Sequence, residues 1–191
     1  MAKIFWFDVE TTGLDKTKHA LIQIAYIIEI DSVIKESGNI FIQPFKTDLI
    51  DDAALRVNKR SKEEMFKEPF LFPEDAYEKI NEIFSKYIDK YNKEDKFYPA
   101  GYNVSFDCDF LSNFFLKNND KYFGSWFNGR NLDPKYLLAL LSYEGKIDLP
   151  KHSLAEACKY FKVDLKEAHD AMSDITATRE LMLKLTPSMR K

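Results

Sequence analysis

Apolar and polar positions alternate along the chain in two different periods. Residues 3–9 form a nearly continuous apolar run of strand length, and residues 20–30 place Ile22, Ile24, Tyr26, Ile28 and Ile30 at every second position, the period of a pleated strand. Asp31 and Ser32 then make a turn, and residues 33–42 give a third strand, ended by Pro44, which so short a connection pairs antiparallel with the second. From residue 74 the period changes. Ala76, Tyr77, Ile80, Ile83, Phe84, Tyr87, Ile88 and Tyr91 recur at three- and four-residue steps, predicting an amphipathic helix over 74–91. A polar loop leads to a short fourth strand, 97–101, and a helix over 106–116. Residues 123–129, aromatic and glycine-containing, read as a loop whose rings pack. Further helices are expected at 134–142, with Pro134 in the first turn, at 154–161, where Ser153 and Glu156 have capping-box spacing, and at 171–185. Residues 51–68 hold short helical patterns around Arg56, Lys59, Arg60 and Lys62, read as a solvated charged face rather than a phosphate-contacting patch. A hairpin first, then strands alternating with helices, predicts an α/β fold: a mixed sheet with helices on both faces.

Composition narrows this picture. At 191 residues, 45% hydrophobic and 31% charged, the chain suits one domain spanning 1–191, without repeats or linkers. A net charge of -3 argues against a protein that coats duplex DNA through a broad basic face, and leaves room for a short strand held locally. The N-terminal run is broken by Asp8 and no later segment is long enough to span a bilayer, so no membrane partner is expected and the cytoplasm is the expected location. Cys108 and Cys158 lack metal-ligand spacing and read as buried free thiols. His19 and His152 have no acidic company in the sequence and read as surface residues.

Three short stretches carry the candidate chemistry. Asp8 and Glu10, at the end of the first apolar run, are two apart and therefore on one face of an extended segment. Two carboxylates side by side repel unless a cation is shared between them, and hard oxygen donors suit a divalent metal. Thr11, Thr12 and Gly13 follow, a tight turn offering hydroxyls and backbone N–H groups to a polar substrate. Taken alone, this could equally be a solvated acidic turn. The second stretch, Asn103 to Asp107, follows the fourth strand; Ser105 is the expected helix cap, with Phe106 and Asp107 in the first turn. Asp109 is the rival carboxylate, but it points to another side of the helix, and Asp107 is preferred. In the third, His169 precedes a helix that starts near Asp170 and carries Asp174 in its second turn, facing inward with Ala171 and Ala177.

Residues 7–14, then Asn103 to Asp107 with Phe110 and Leu111, then His169, Ala171 and Asp174, together resemble the three motifs of the DEDDh 3'-5' exonucleases. These belong to the ribonuclease H-like superfamily, with the proofreading subunit of DNA polymerase III, ribonuclease T and oligoribonuclease among them. Tyr102 departs from the pattern, where many members carry histidine, as do residues 57–61, where many have a His-Gly-Ile-Thr-like turn. The resemblance implies a five-stranded sheet with Asp8, Glu10, Asp107 and Asp174 at its centre, holding two Mg²⁺ or Mn²⁺ ions about the scissile phosphate. It implies that His169 is the general base, to which a histidine's ordinary pKa near 6.5 is suited. It also implies that the backbone around Thr11 and Thr12 meets the terminal 3'-OH, that Leu14 wedges beside the terminal base and Phe106 lines its pocket, and that Gly13 and Asn103 are substrate contacts as well. The expected activity is release of nucleoside 5'-monophosphates from a single-stranded 3' end. A DNA polymerase-associated proofreader, a free-standing DNA exonuclease and an RNA-trimming enzyme all fit, with single-stranded DNA favoured. The competing class is a ribonuclease H-like module that grips nucleic acid or a polymerase without cutting.

Overall fold

The computed structural model describes residues 2–166 and 170–187. Its sheet is built on β1 (Lys3–Thr11), which pairs antiparallel with β2 (Leu21–Ile30) and parallel with β4 (Phe97–Ala100). Outside β2 lies β3 (Val33–Phe41), antiparallel to it, so the strand order is β3-β2-β1-β4. The turn between β2 and β3 puts Asp31 and Ser32 at φ of 50° and 66°, the left-handed pair that a two-residue hairpin requires.

Helices cover both faces. Phe5, Phe7 and Val9 point to one side, where α2 (Pro73–Ser85) and α3 (Ser105–Lys117) supply Ile80, Ile83, Phe84, Phe110, Leu111 and Phe114. This core is largely aromatic: Phe84 packs edge-on against Phe5 and Phe127 at centroid distances of 5.0 and 5.4 Å. On the opposite side Trp6, Ala25 and Ile27 meet Ala171 and Ile175 of α6 (Ala171–Leu185). Behind α6 pack α4 (Pro134–Tyr143) and α5 (Leu154–Phe161). The small helix α1 (Asp52–Asn58) buries Leu55 with Met65 and Phe70 at the β2 end.

The α/β class stands, with corrections. Four strands are present among the described residues, not five. The segment after Phe123 does run beside β4, since Phe97 N–H donates to Trp126 O and Leu132 N–H to Pro99 O, each at 2.9 Å. Between these points Asn128 Oδ1 accepts from Arg130 N–H at 2.9 Å, a local turn that breaks the ladder into two isolated bridges. The long helix stops at Ser85 rather than 91, because Lys3 Nζ takes the Tyr87 carbonyl at 2.6 Å and Asp95 Oδ2 accepts from Asp89 N–H at 2.9 Å. β2 is buried on both sides from Leu21 to Glu29, so its alternation marks one of two covered faces. Ser105 is inside α3 and does not cap it: the N-cap is Val104, whose N–H donates to Asp133 Oδ2 at 3.2 Å. The Ser153 cap holds, accepting from Glu156 N–H at 3.3 Å. Cys108 and Cys158 are free thiols, with only Cys158 fully buried.

Candidate active site

The carboxylates gather where β1 ends. Asp8 and Glu10 both lie within β1, opposite Ala25 and Gln23 of β2, and by strand parity they share the face of Trp6, toward α6. Asp107 approaches from α3, buried, with its Oδ1 accepting from Val9 N–H at 3.0 Å between the two strand carboxylates. Gly101 allows this approach, since a Cβ there would stand 2.7 Å from the Phe7 carbonyl oxygen. Asp109 points elsewhere, paired with Lys16 at 2.7 Å and largely exposed. Asp170 caps α6, accepting from Ser173 N–H at 2.8 Å, and places Asp174 in the helix's first turn rather than its second.

Their electrostatics are those of one cluster. Burial, then the charges of Asp107, Glu10 and Asp174, hold the Asp8 carboxyl well above the usual carboxylate range. Burial and Asp174 push Glu10 up to about 7, opposed by Arg60. Burial pushes Asp107 up to about 8, against the stabilising N–H of Val9. Among the described residues no three His, Cys, Asp or Glu side chains stand at the spacing of ligands on one ion. The fit to a divalent cation is one of donor chemistry and charge: hard oxygens only, crowded so that positive charge between them would relieve both burial and repulsion. His169, the expected base, lies outside the described residues.

The expected substrate residues have structural duties as well. Thr11 Oγ1 donates to Gly13 O at 2.7 Å, and Thr12 Oγ1 donates to Leu49 O at 2.6 Å while accepting from Ala20 N–H at 2.8 Å. The threonine hydroxyls thus brace the turn. Leu14, in contrast, is 85% exposed. Phe106 is partly buried and packs on Phe110 at 4.8 Å. Asn103 sits at φ 62°, a left-handed position asparagine tolerates, and accepts from Lys135 Nζ at 2.9 Å.

Two sequence expectations fail here. His19 is buried, not on the surface: its Nδ1 accepts from Asp15 N–H at 3.1 Å, its Nε2 lies 3.2 Å from Asp51, and a Cβ on Gly13 would strike its ring at 2.3 Å. Gly13 and His19 therefore close the loop that presents Leu14. His152 is half-buried and pairs with Ser142 Oγ at 2.9 Å, while its carbonyl accepts from the hydroxyl of Tyr102 at 2.8 Å. The 51–68 segment is largely a solvated face, with Arg56, Lys59 and Lys62 exposed, but its end at Arg60 turns toward the carboxylates. Asn58, Lys59 and Arg60 line a cleft of about 210 Å³ together with Glu10, Gln23 and Asp170. Arg60 is held there by Gln23 Oε1 at 3.2 Å and by the rings of Phe41 and Phe70 at 5.2 and 5.8 Å. The sequence signal was the basic cluster itself, whose place beside Glu10 depends on contacts distant along the chain.

The fold is a mixed sheet with helices on both faces, and carboxylates from three elements are drawn together at the end of its central strand. A family model described as Exonuclease matches residues 5–182, and the chain belongs to this family, the 3'-5' exonuclease class that its motifs resemble. The PolC-type DNA polymerase III of Latilactobacillus sakei subsp. sakei (strain 23K) is 29% identical over 189 residues, 94% of this chain and 11% of that polymerase. E. coli exonuclease I in complex with a dT13 oligonucleotide is similar in structure, with a TM-score of 0.79 at 19% identity, over 99% of this chain and 42% of that one. The zinc ion bound form of the E. coli exonuclease I–ssDNA complex gives 0.80 at 20% identity, over 100% and 41%. The chain therefore spans a small part of the polymerase and under half of exonuclease I. No helix among the described residues is long and apolar enough to cross a membrane.

Proposed function

We propose that this chain is a metal-dependent exonuclease domain that removes nucleoside 5'-monophosphates one at a time from the 3' end of single-stranded DNA. The observation that carries this reading is the burial of Asp8, Glu10 and Asp107 beside one another and beside Asp174, which, with their mutual repulsion, raises the proton affinity of these three. In this reading these four residues hold two Mg²⁺ or Mn²⁺ ions. Bound there, the ions would supply Lewis acidity for activating water and for charge developing on the departing 3' oxygen. The chain's own residues do the rest. His169 accepts the proton of the attacking water, and Leu14 wedges against the terminal base. Phe106 lines the base pocket. The backbone of the Thr11–Gly13 turn, braced by its own hydroxyls, meets the 3'-OH. Arg60, whose charge opposes the proton affinity of Glu10, faces the incoming phosphate across their shared cleft.

Support for DNA and for a polymerase partner comes from the relatives, one named as a PolC-type polymerase and another solved with dT13. Metal chemistry at a 3' end does not read the sugar; contacts to the 2' position do. Digestion of matched 5'-labelled DNA and RNA oligomers in Mg²⁺ tests the reading. Single-nucleotide ladders that shorten from the 3' end, faster on DNA, are expected. RNA cut tenfold faster or more would reassign the substrate to RNA. Strand binding without any cleavage in Mg²⁺ or Mn²⁺ would leave a binding module.

A further inference from the structure

A second cleft opens at the far end of the sheet. It holds about 600 Å³ and lies between the polar loop before β4 and the loop after α3, lined by Lys90, Tyr91, Lys93, Lys96, Tyr122 and Ser125. Lys96 enters just before Phe97, which pairs with Lys3 at the start of β1, whereas the carboxylates sit at the other end of that strand. The five residues from Lys3 to Asp8 span about 17 Å at the rise of an extended chain.

Three properties of this cleft point to one ligand chemistry. Among the described residues none of its three ammonium groups forms an ion pair. Lys90 Nζ stands over the rings of Tyr91 and Trp126 at 5.5 and 5.4 Å, and Lys96 Nζ bonds the Lys90 and Ser125 carbonyls. The one carboxylate in the lining, Asp120, is taken up by the hydroxyl of Tyr77 at 2.8 Å and by Tyr122 N–H at 2.7 Å. Tyr91 and Tyr122 are 85% and 76% exposed, flat rings with no core to fill. Ser125 Oγ is buried against this cleft without a hydrogen-bond partner among the described residues. Lysines without a close ion pair, interleaved with open aromatic faces, fit phosphates alternating with stacking bases, in a chain whose net charge is -3.

We infer that this cleft is an accessory site for single-stranded nucleic acid, holding a stretch of the strand several nucleotides upstream of the 3' end. The inference extends the proposed exonuclease reading, and its test separates the two. Along β1 alone the two places are about 17 Å apart, so a strand engaging both must cover at least about five nucleotides at a stacked rise, and the cleft would favour long substrates over short ones. Fluorescence anisotropy of 5'-labelled dT4 and dT16 is measured in EDTA on the full chain, on Tyr91→Ala/Tyr122→Ala and on Lys93→Glu. All three side chains lie at the surface, and unchanged circular dichroism confirms folding. The expected result is that dT16 binds wild type more tightly than dT4, and that each variant weakens dT16 by about tenfold with dT4 unchanged. Equal affinity of wild type for both lengths, unchanged dT16 binding in the variants, or an equal loss on both oligomers would each overturn the accessory site. Because no cleavage is read, a chain that never cut DNA could still pass, and an active nuclease could still fail.

Discussion

Asp107 and Asp109 are two residues apart on α3 and sit in different media: one buried against the backbone of β1, the other exposed beside a lysine. Replacing each by asparagine therefore separates charge at the site from charge at the surface. Asp107→Asn should lower turnover by about a hundredfold or more, and Asp109→Asn by less than about threefold. Steady-state rates on a labelled oligomer in Mg²⁺ check this, and the reverse order would place the working carboxylate on the wrong face of the helix. His169 makes a second test. If it is the base proposed above, touching water and not the ions, His169→Ala should cost about a hundred- to ten-thousandfold in turnover with metal affinity intact. Calorimetric titration with Mn²⁺ reads the second half; a collapse of metal binding would make His169 a ligand.

At the scale of elements, what holds the site together is how α6 is fastened to the sheet. Glu29 of β2 is 4% exposed, and its Oε2 accepts from Arg179 Nε at 2.6 Å and from Trp6 Nε1 at 3.2 Å. One carboxylate thereby ties the helix that bears Asp174 to the strand that bears Asp8. Glu29→Ala should destabilise the protein by roughly 3–5 kcal/mol, because it leaves a guanidinium and an indole N–H short of their acceptor. Urea unfolding measures this. A paired change of Glu29 and Arg179 to methionine should recover most of the loss, and if it recovers none, the pair is not what fastens α6. The sequence betrayed local devices far better than ties of this kind. Ser153 with Glu156, Pro134 after Asp133, and the Asp31–Ser32 turn act within a few residues, so their patterns could be read directly. That the expected fifth strand is reduced to two isolated bridges among the described residues was not readable, because one asparagine side chain diverts the ladder. The burial of His19 depends on Gly13 and Asp51 closing around it, and the place of Arg60 depends on Gln23, 37 residues away. The strand and helix carboxylates were legible as a set because their spacing encodes the face they share; Asp170, Lys59 and Arg60 joined them only through the packing.

The whole molecule responds to the carboxylate cluster through its stability. In metal-free solution Glu10 titrates near 7 and Asp107 near 8 when folded, against ordinary values of 4.5 and 3.8, and Asp8 is raised as well. Between the ordinary and the raised values the folded chain therefore binds more protons than the unfolded one, and the sign of linkage is fixed: stability falls as pH rises. It is fully present below about pH 4 as far as these groups are concerned, and is lost progressively until they have all ionised, near pH 8 and above. Acid unfolding driven by other carboxylates, among them Glu36 and Asp95, whose values are lowered by bonded partners, acts in the opposite direction at lower pH. The window in which the cluster dominates is therefore pH 5.5 to 8.5, the thiols of Cys108 and Cys158, raised by burial, adding a smaller fall of the same sign at its alkaline end. In EDTA, chemical unfolding should give a lower stability at pH 8.5 than at pH 5.5. Asp8→Asn should flatten that slope, because it removes one charge and relieves the repulsion felt by the others. Adding Mg²⁺ or Mn²⁺ should raise stability most at the alkaline end, where the carboxylates are charged and the ion displaces no proton. A wild-type stability in EDTA that stays level or climbs across this window, or a metal increment larger at pH 5.5 than at 8.5, would mean that these side chains are not electrostatically coupled, and the site would lose the property on which the nuclease reading rests.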